Sequence, residues 1–302
     1  MCQQLLSLND DLLEKRIIGG QRPPAEAHTY ALSLRGDDPD KKSSMFCGAT
    51  LISPLWIITA AHCFLGHSHS GIPFNNPALW TVQVGSKKID WLNDSGPVLR
   101  TRNANPKIAD QNKTKPARKL HLDQVIQHPN YQEHDIEWDI ALAKLTQPIY
   151  WLTPVNLPYH HKYQQVTKKR SNVRNKGYAV EEPKVGTVCE MIGWGCRYMG
   201  GPAVELASMA KLQIVSHDQC NEWYRNGAGL SRINEFCAGF YKKNIGVCPG
   251  DSGSGLFCQS QGKWYIEGVT SATHREFPES YPGIFSRVTF YLKWIEHILQ
   301  HK

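Results

Sequence analysis

Pro249-Gly250-Asp251-Ser252-Gly253-Ser254-Gly255 crowds small residues around one serine and sets an acid directly before it. Glycine lets a backbone turn tightly and approach a substrate, so the N–H groups of Gly250 and Ser252 can both point at an oxygen that becomes negative during acyl transfer. Ser252 is therefore the candidate nucleophile, and those two N–H groups are the candidate oxyanion hole. A serine hydroxyl is a weak nucleophile and needs a base within reach, itself held by a third group. Two upstream stretches supply both. Thr59-Ala60-Ala61-His62-Cys63 ends an apolar run on a histidine, and Trp138-Asp139-Ile140-Ala141-Leu142 starts another on an acid. His62 would take and return the serine proton, while Asp139 would fix the imidazole tautomer and stabilise the imidazolium.

Short apolar and β-branched runs surround these stretches, separated by Gly, Pro, Asn and Asp: 30–34, 48–52, 56–60, 80–84, 124–127, 140–144, 187–192, 212–215, 255–258, 264–270 and 283–288. Such spacing predicts an antiparallel barrel or sandwich. From Val288 onward, Tyr291, Leu292, Trp294, Ile295, Ile298 and Leu299 fall at helical spacing, which predicts an amphipathic terminal helix docked on the body. Residues 86–120 and 159–185 are polar, basic and rich in turn formers, and read as surface insertions. The first carries two acceptor sequons for N-glycosylation, at Asn93 and Asn112. Arg35-Gly36-Asp37 matches an integrin-binding tripeptide, and chance is the favoured explanation of it.

The TAAHC, WDIAL and GDSGSG stretches, with Ile17-Ile18-Gly19-Gly20 near the start, resemble the marker segments of the chymotrypsin-like (trypsin family) serine proteases. The order His, Asp, Ser also differs from that of α/β-hydrolases, and Ser254 removes the G-x-S-x-G elbow that a lipase or esterase would need. The resemblance implies an all-β fold of two packed six-stranded antiparallel barrels with a C-terminal helix, and a catalytic cleft between the halves. It implies a propeptide over residues 1–16 and a peptidase domain over residues 17–302. Cleavage after Arg16 would free an ammonium at Ile17, which folds inward and pairs with Asp251. By the same resemblance, Cys47 bridges Cys63, Cys189 bridges Cys258 and Cys220 bridges Cys237. Cys248 lacks its usual partner in the loop 273–281; pairing with Cys196 and a free buried thiol both stay open, and Cys2 has no assigned partner.

In that family the residue six before the nucleophile forms the floor of the substrate pocket, and here it is Gly246. An acid there would pair with Lys or Arg; without one, a buried cation goes unpaired. Val247, Thr270, Thr273 and Gly283 then describe a small apolar pocket, with Pro249 at its edge. The nearest resemblance is to elastases, with aliphatic residues preferred before the scissile bond and aromatic ones as the alternative. Ser271-Ala272-Thr273 match the strand that pairs with substrate backbone, although relatives carry Trp-Gly where this chain has Ala272-Thr273.

Composition limits the remaining classes. The 302 residues, 41% hydrophobic and 20% charged, suffice for a large core. No run approaches the roughly 20 apolar residues that cross a bilayer, so no membrane span is expected. Nine cysteines point to an oxidising, extracellular compartment, although Met1 to Arg16 show no secretory signal. The net charge of +7 gathers at Arg100, Arg102, Lys107, Lys113, Lys115, Arg118 and Lys119, and again between Lys162 and Lys176. Solvated loops are the favoured reading, with acidic glycans as the alternative partner. Without interleaved aromatic residues to stack on bases, nucleic acid is not expected. No cofactor or metal is expected, since His67, His69, His160 and His161 lack companion ligands. The expected partners are protein or peptide substrates, an activating trypsin-like protease and protein protease inhibitors, acting on a monomer. A silent homologue that binds through its basic loops is the rival reading.

Overall fold

A computed structural model describes residues 17–38, 44–65, 74–89, 118–133, 136–158, 183–224 and 230–302. Two closed barrels account for its sheets. The first runs β1 (Ala31–Asp37), β2 (Ser44–Leu51), β3 (Trp56–Thr59), β4 (Trp80–Val84), β5 (Arg118–Gln127) and β6 (Ala141–Leu145), in spatial order β1-β2-β3-β6-β5-β4. The second runs β7 (Val188–Gly193), β8 (Ser208–Val215), β9 (Glu235–Ala238), β10 (Gly255–Ser260), β11 (Lys263–Ala272) and β12 (Gly283–Arg287), in order β10-β11-β12-β9-β8-β7. Every pairing is antiparallel, and closure leaves neither sheet a free edge. This is the expected two-barrel fold.

Inward residues fill each barrel. Leu32, Leu34, Ile57, Val82 and Leu142 are buried in the first, and Met191, Leu212, Leu256 and Phe285 in the second. β9 was not among the expected strands; it has only four residues, all buried, and Cys237 on it bridges Cys220. β5 begins at Arg118, inside the stretch read as an insertion, because Leu120 and Leu122 alternate inward between polar neighbours. Arg35-Gly36-Asp37 lies within β1, paired to β2 and β4, and a Cβ on Gly36 would meet the Trp80 ring at 2.9 Å. That tripeptide is therefore strand, not a displayed loop.

Among the described residues, two α-helices accompany the barrels. α1 (His217–Trp223) is capped by Ser216, whose hydroxyl accepts from the Gln219 N–H at 3.3 Å. α2 (Val288–His301) is the expected terminal helix and buries Tyr291, Leu292, Ile295 and Ile298. It leaves the second barrel at β12 and packs its apolar stripe against the core that includes the first barrel. The barrels also join through backbone: Ile89 N–H donates to Glu205 O at 2.6 Å, Ala207 N–H to Lys87 O at 2.8 Å and Ile266 N–H to Asn156 O at 3.1 Å.

Candidate active site

β3 and β6 are antiparallel neighbours, with Thr59 opposite Ala141. His62, three residues beyond the end of β3, and Asp139, two before the start of β6, therefore leave the same end of the barrel. His62 lies in a short 3-10 turn (Ala61–Phe64) tied to β2 by the Cys47–Cys63 disulfide. Trp138 adopts φ +61°, a conformation uncommon for a bulky side chain, and the Ile140 N–H turns back to Trp138 O at 2.7 Å. The Trp138 ring stacks on His128, itself against Tyr291 and Trp294 of α2, so the terminal helix braces this turn.

Asp139 is 1% exposed and every bond it makes bears on His62 or its own placement. Its Oδ1 accepts the His62 N–H at 2.9 Å and its Oδ2 lies 2.7 Å from His62 Nδ1. The Ser271 hydroxyl donates to Oδ2 at 2.6 Å, and the Ser286 hydroxyl to the Asp139 carbonyl at 2.7 Å. Burial pushes the His62 pKa down, but the Asp139 charge and hydrogen bond outweigh it and hold it above its ordinary 6.5. The tautomer with a proton on Nδ1 leaves Nε2 to accept.

The Ser252 loop is pinned to the same ground. The Gly48 N–H donates to Ser252 O at 2.7 Å, Gly48 follows Cys47 directly, and the Thr59 hydroxyl donates to Gly48 O at 2.7 Å. Gly253, at φ +79°, has no room for a side chain: a Cβ would come within 2.1 Å of Thr59 Oγ1. Gly250 sits at φ +97°, where an L side chain is strained. Among the described residues, the N–H groups of Gly250 and Ser252 donate to no protein acceptor. Donors left open in this way suit an oxygen that acquires negative charge.

Asp251, fully buried, points the other way. Its Oδ1 accepts the Gly195 N–H at 2.8 Å and its Oδ2 the Cys248 N–H at 2.9 Å. Burial raises its pKa from 3.8 to about 7, against the pull of those two bonds. A Cβ at Gly193 or Gly195 would strike the carboxyl at 2.0 or 2.5 Å. These two glycines were not singled out in the sequence, since their requirement arises from an acid more than 50 residues away. Ile17 is also buried, packed with Val247, Phe236 and Phe285, and the Gly246 N–H donates to Ile18 O at 3.1 Å.

The expected pocket residues divide into two groups. Gly246, Val247 and Gly283 converge: a Cβ on Gly283 would meet Val247 Cγ2 at 2.7 Å, and one on Gly246 would meet Pro278 O at 2.0 Å. Thr270 and Ser271 instead direct their hydroxyls inward, Thr270 to Ser254 O at 2.9 Å and Ser271 to Asp139. Ser271 thus supports Asp139 with its side chain, a role that a lone serine in an apolar run does not advertise. Ala272 is half-buried beside Ile284 and Cys237, Thr273 is half-buried, and Pro249 is exposed on its turn, where its carbonyl accepts the Cys196 N–H at 3.0 Å.

Among the described residues, four disulfides are formed, Cys47–Cys63, Cys189–Cys258, Cys220–Cys237 and Cys196–Cys248. Ligand atoms of Cys47, His62 and Cys63 lie within 4.8 Å of one another, but the two sulfurs bond each other and His62 is committed to Asp139, so this triplet does not form a metal site. Arg16, Cys2, Asn93, Asn112, the four loop histidines and the basic stretches other than Arg118 and Lys119 lie outside the described residues. Among the described residues, no helix is long and apolar enough to cross a membrane.

The profile of the trypsin family matches residues 17–90 and 94–295. Transmembrane protease serine 11G of Rattus norvegicus is 30% identical over 83% of this chain, and its Mus musculus counterpart is 31% identical over the same share. Serine protease 56 of Homo sapiens is 26% identical over 93% of the chain. The chain spans only 48% of the rat protein and 38% of the human one. With the barrels, the relatives and the family profile in agreement, this chain belongs to the trypsin family of serine proteases.

Proposed function

We propose that this chain is a serine endopeptidase that cuts through an acyl-enzyme, with His62, Asp139 and Ser252 as its catalytic triad. The observation that carries the reading is the buried Asp139 carboxylate gripping both the backbone N–H and Nδ1 of His62. Ser252 Oγ attacks the peptide carbonyl carbon as its proton passes to His62 Nε2, and the N–H groups of Gly250 and Ser252 take the charge on the carbonyl oxygen. His62 then gives that proton to the departing amine. Water, deprotonated by the same imidazole, attacks the ester and releases Ser252.

Cleavage after Arg16 is the activation step in this reading, because a fully buried Asp251, with two amide partners among the described residues, calls for a cation. An Ile17 ammonium would supply it from a segment whose side chain is already buried beside the pocket. The preferred residue before the scissile bond is aliphatic, with aromatic residues second, since Val247 and Gly283 meet around a floor without charge. Protein substrates, protein inhibitors and a trypsin-like activator are the partners. Four disulfides fit an extracellular setting.

Cleavage-site profiling on a mixed peptide library tests this, with protein nicked after Arg16, un-nicked protein and Ser252→Ala compared. Cuts after aliphatic residues, only from nicked wild type, are expected. Cuts after Lys or Arg that outlast removal of the nicking protease would overturn the pocket assignment alone. A folded, correctly nicked protein that cuts nothing would overturn the enzyme reading and favour the binding homologue.

A further inference from the structure

Asp251 bridges two turns. One carboxylate oxygen takes the Gly195 N–H and the other the Cys248 N–H, at 2.8 and 2.9 Å. The residues next to these contacts complete a ring around the acid. Cys196 and Cys248 are joined by a disulfide across 52 residues of sequence, and the Cys196 N–H donates to Pro249 O at 3.0 Å. Gly250 closes the group, since a Cβ on it would lie 3.1 Å from Gly195 Cα. One covalent link, three hydrogen bonds and one backbone contact therefore hold the Cys248–Gly250 turn against the Gly195–Cys196 turn.

We propose that the Cys196–Cys248 disulfide is a positioning element for the oxyanion hole, fixing the Cys248–Gly250 turn in its donor conformation whether or not the chain has been cut after Arg16. This rests on the protease reading above. A loop that must be ordered by a single buried ion pair gives up its conformational freedom only when that pair forms. A cross-link between the two turns removes much of that freedom beforehand, so the pair has less left to order. The order of this turn is thereby separated from activation. The uncut chain then carries a largely formed oxyanion hole, and its restraint lies elsewhere than in the conformation of this turn.

Amide hydrogen exchange on the full chain tests the claim without relying on catalysis. The amides of Gly195, Cys196, Cys248 and Asp251 are all hydrogen-bonded here. In wild type they should exchange at rates within about 3-fold before and after nicking, and at least about 10-fold faster in un-nicked Cys196→Ser/Cys248→Ser. If nicking alone slows them about 10-fold or more in wild type, order depends on cleavage and the proposal falls. On nicked protein with a peptide ester, the double variant should lose kcat by about 10-fold with KM within about 2-fold, below the 10²–10³ that loss of one whole donor costs. Cys220→Ser/Cys237→Ser, which opens a bridge of the same barrel, should lower thermal stability without that kcat loss. Equal kcat in wild type and the Cys196/Cys248 variant would reduce the bridge to a general staple and overturn the positioning role. Should the variant fail to fold, the wild-type exchange comparison still decides. Should nicked wild type hydrolyse nothing, the protease reading fails, while the exchange rates still judge the bridge.

Discussion

Two carboxylates, Asp139 and Asp251, are both buried, yet their neighbours give them different work. Asp139 is surrounded by donors, two from His62 and one from Ser271. A hydrogen bond to a charged group contributes about 1.5–3 kcal/mol. Ser271→Ala should therefore lower kcat/KM by about 10-fold, and Ser271→Thr should restore part of it; unchanged kcat/KM in the alanine variant would show that His62 alone holds the acid. Because the His62 pKa lies above 6.5, the rising limb of the rate profile should also fall above pH 6.5. Among the described residues Asp251 accepts from two amide donors, and burial raises its pKa from 3.8 to about 7. An acid raised on folding contributes stability that is complete below its unfolded value and lost as pH rises through the folded one. The un-nicked chain should thus weaken between about pH 4 and 7 relative to Asp251→Asn, by roughly 4 kcal/mol over the full window, and nicking should shrink that difference. Parallel denaturation midpoints of the two un-nicked proteins across this range would contradict a buried, unpaired acid.

Among the elements, the turn before β12 bears on the proposed substrate pocket. The short 3-10 turn Pro278–Ser280 lays the Pro278 carbonyl where a Cβ on Gly246 would be, at 2.0 Å. Gly246→Asp, the change that would put charge on the floor, should therefore not confer cleavage after Lys or Arg. It should instead destabilise by about 1–3 kcal/mol through overpacking, read as a fall in melting temperature. Efficient cleavage after Lys with an unchanged melting temperature would show that the turn yields freely. The absence of an acid at Gly246 was legible in the sequence, whereas the carbonyl filling its place was not, because it arrives from residue 278 by tertiary packing. The same division runs through the site. His62, Asp139 and Ser252 stood out because they lie in short stretches of distinctive composition, while Gly193, Gly195 and Ser271 owe their roles to contacts across 58, 56 and 132 residues. Likewise α2 was visible from its periodic apolar stripe, but α1 and β9 are too short to impose a period.

At the scale of the molecule, two barrels must keep a fixed relation if residues from both are to meet at one cleft. Asp139 and His62 belong to the first and Ser252 to the second, so the seam between them sets their geometry. Much of that seam is apolar, but Lys87 crosses it with polar bonds. Its carbonyl accepts the Ala207 N–H and the Trp194 indole N–H, at 2.8 and 3.0 Å, and its ammonium donates to His28 O at 2.8 Å. The His28 ring in turn lies 2.8 Å from Glu190 of the second barrel and 2.7 Å from the Tyr30 hydroxyl. Burial lowers the Lys87 pKa from 10.5 to about 7. A group lowered on folding contributes stability that is present above its unfolded value and lost as pH falls through the folded one. Between about pH 10 and pH 7 the unfolded chain gains a proton at Lys87 before the folded chain does, which costs the fold increasing stability. Lys87→Met keeps the apolar stem, retains both backbone bonds across the seam and removes that penalty. Its unfolding free energy in urea should exceed that of wild type by about 1 kcal/mol at pH 7, and the gain should shrink toward pH 9.5, since only the wild type titrates at this position. A variant less stable at both values, with a difference independent of pH, would mean that the bond to His28 O outweighs the cost of burying the charge, and that the barrels are held here by that bond.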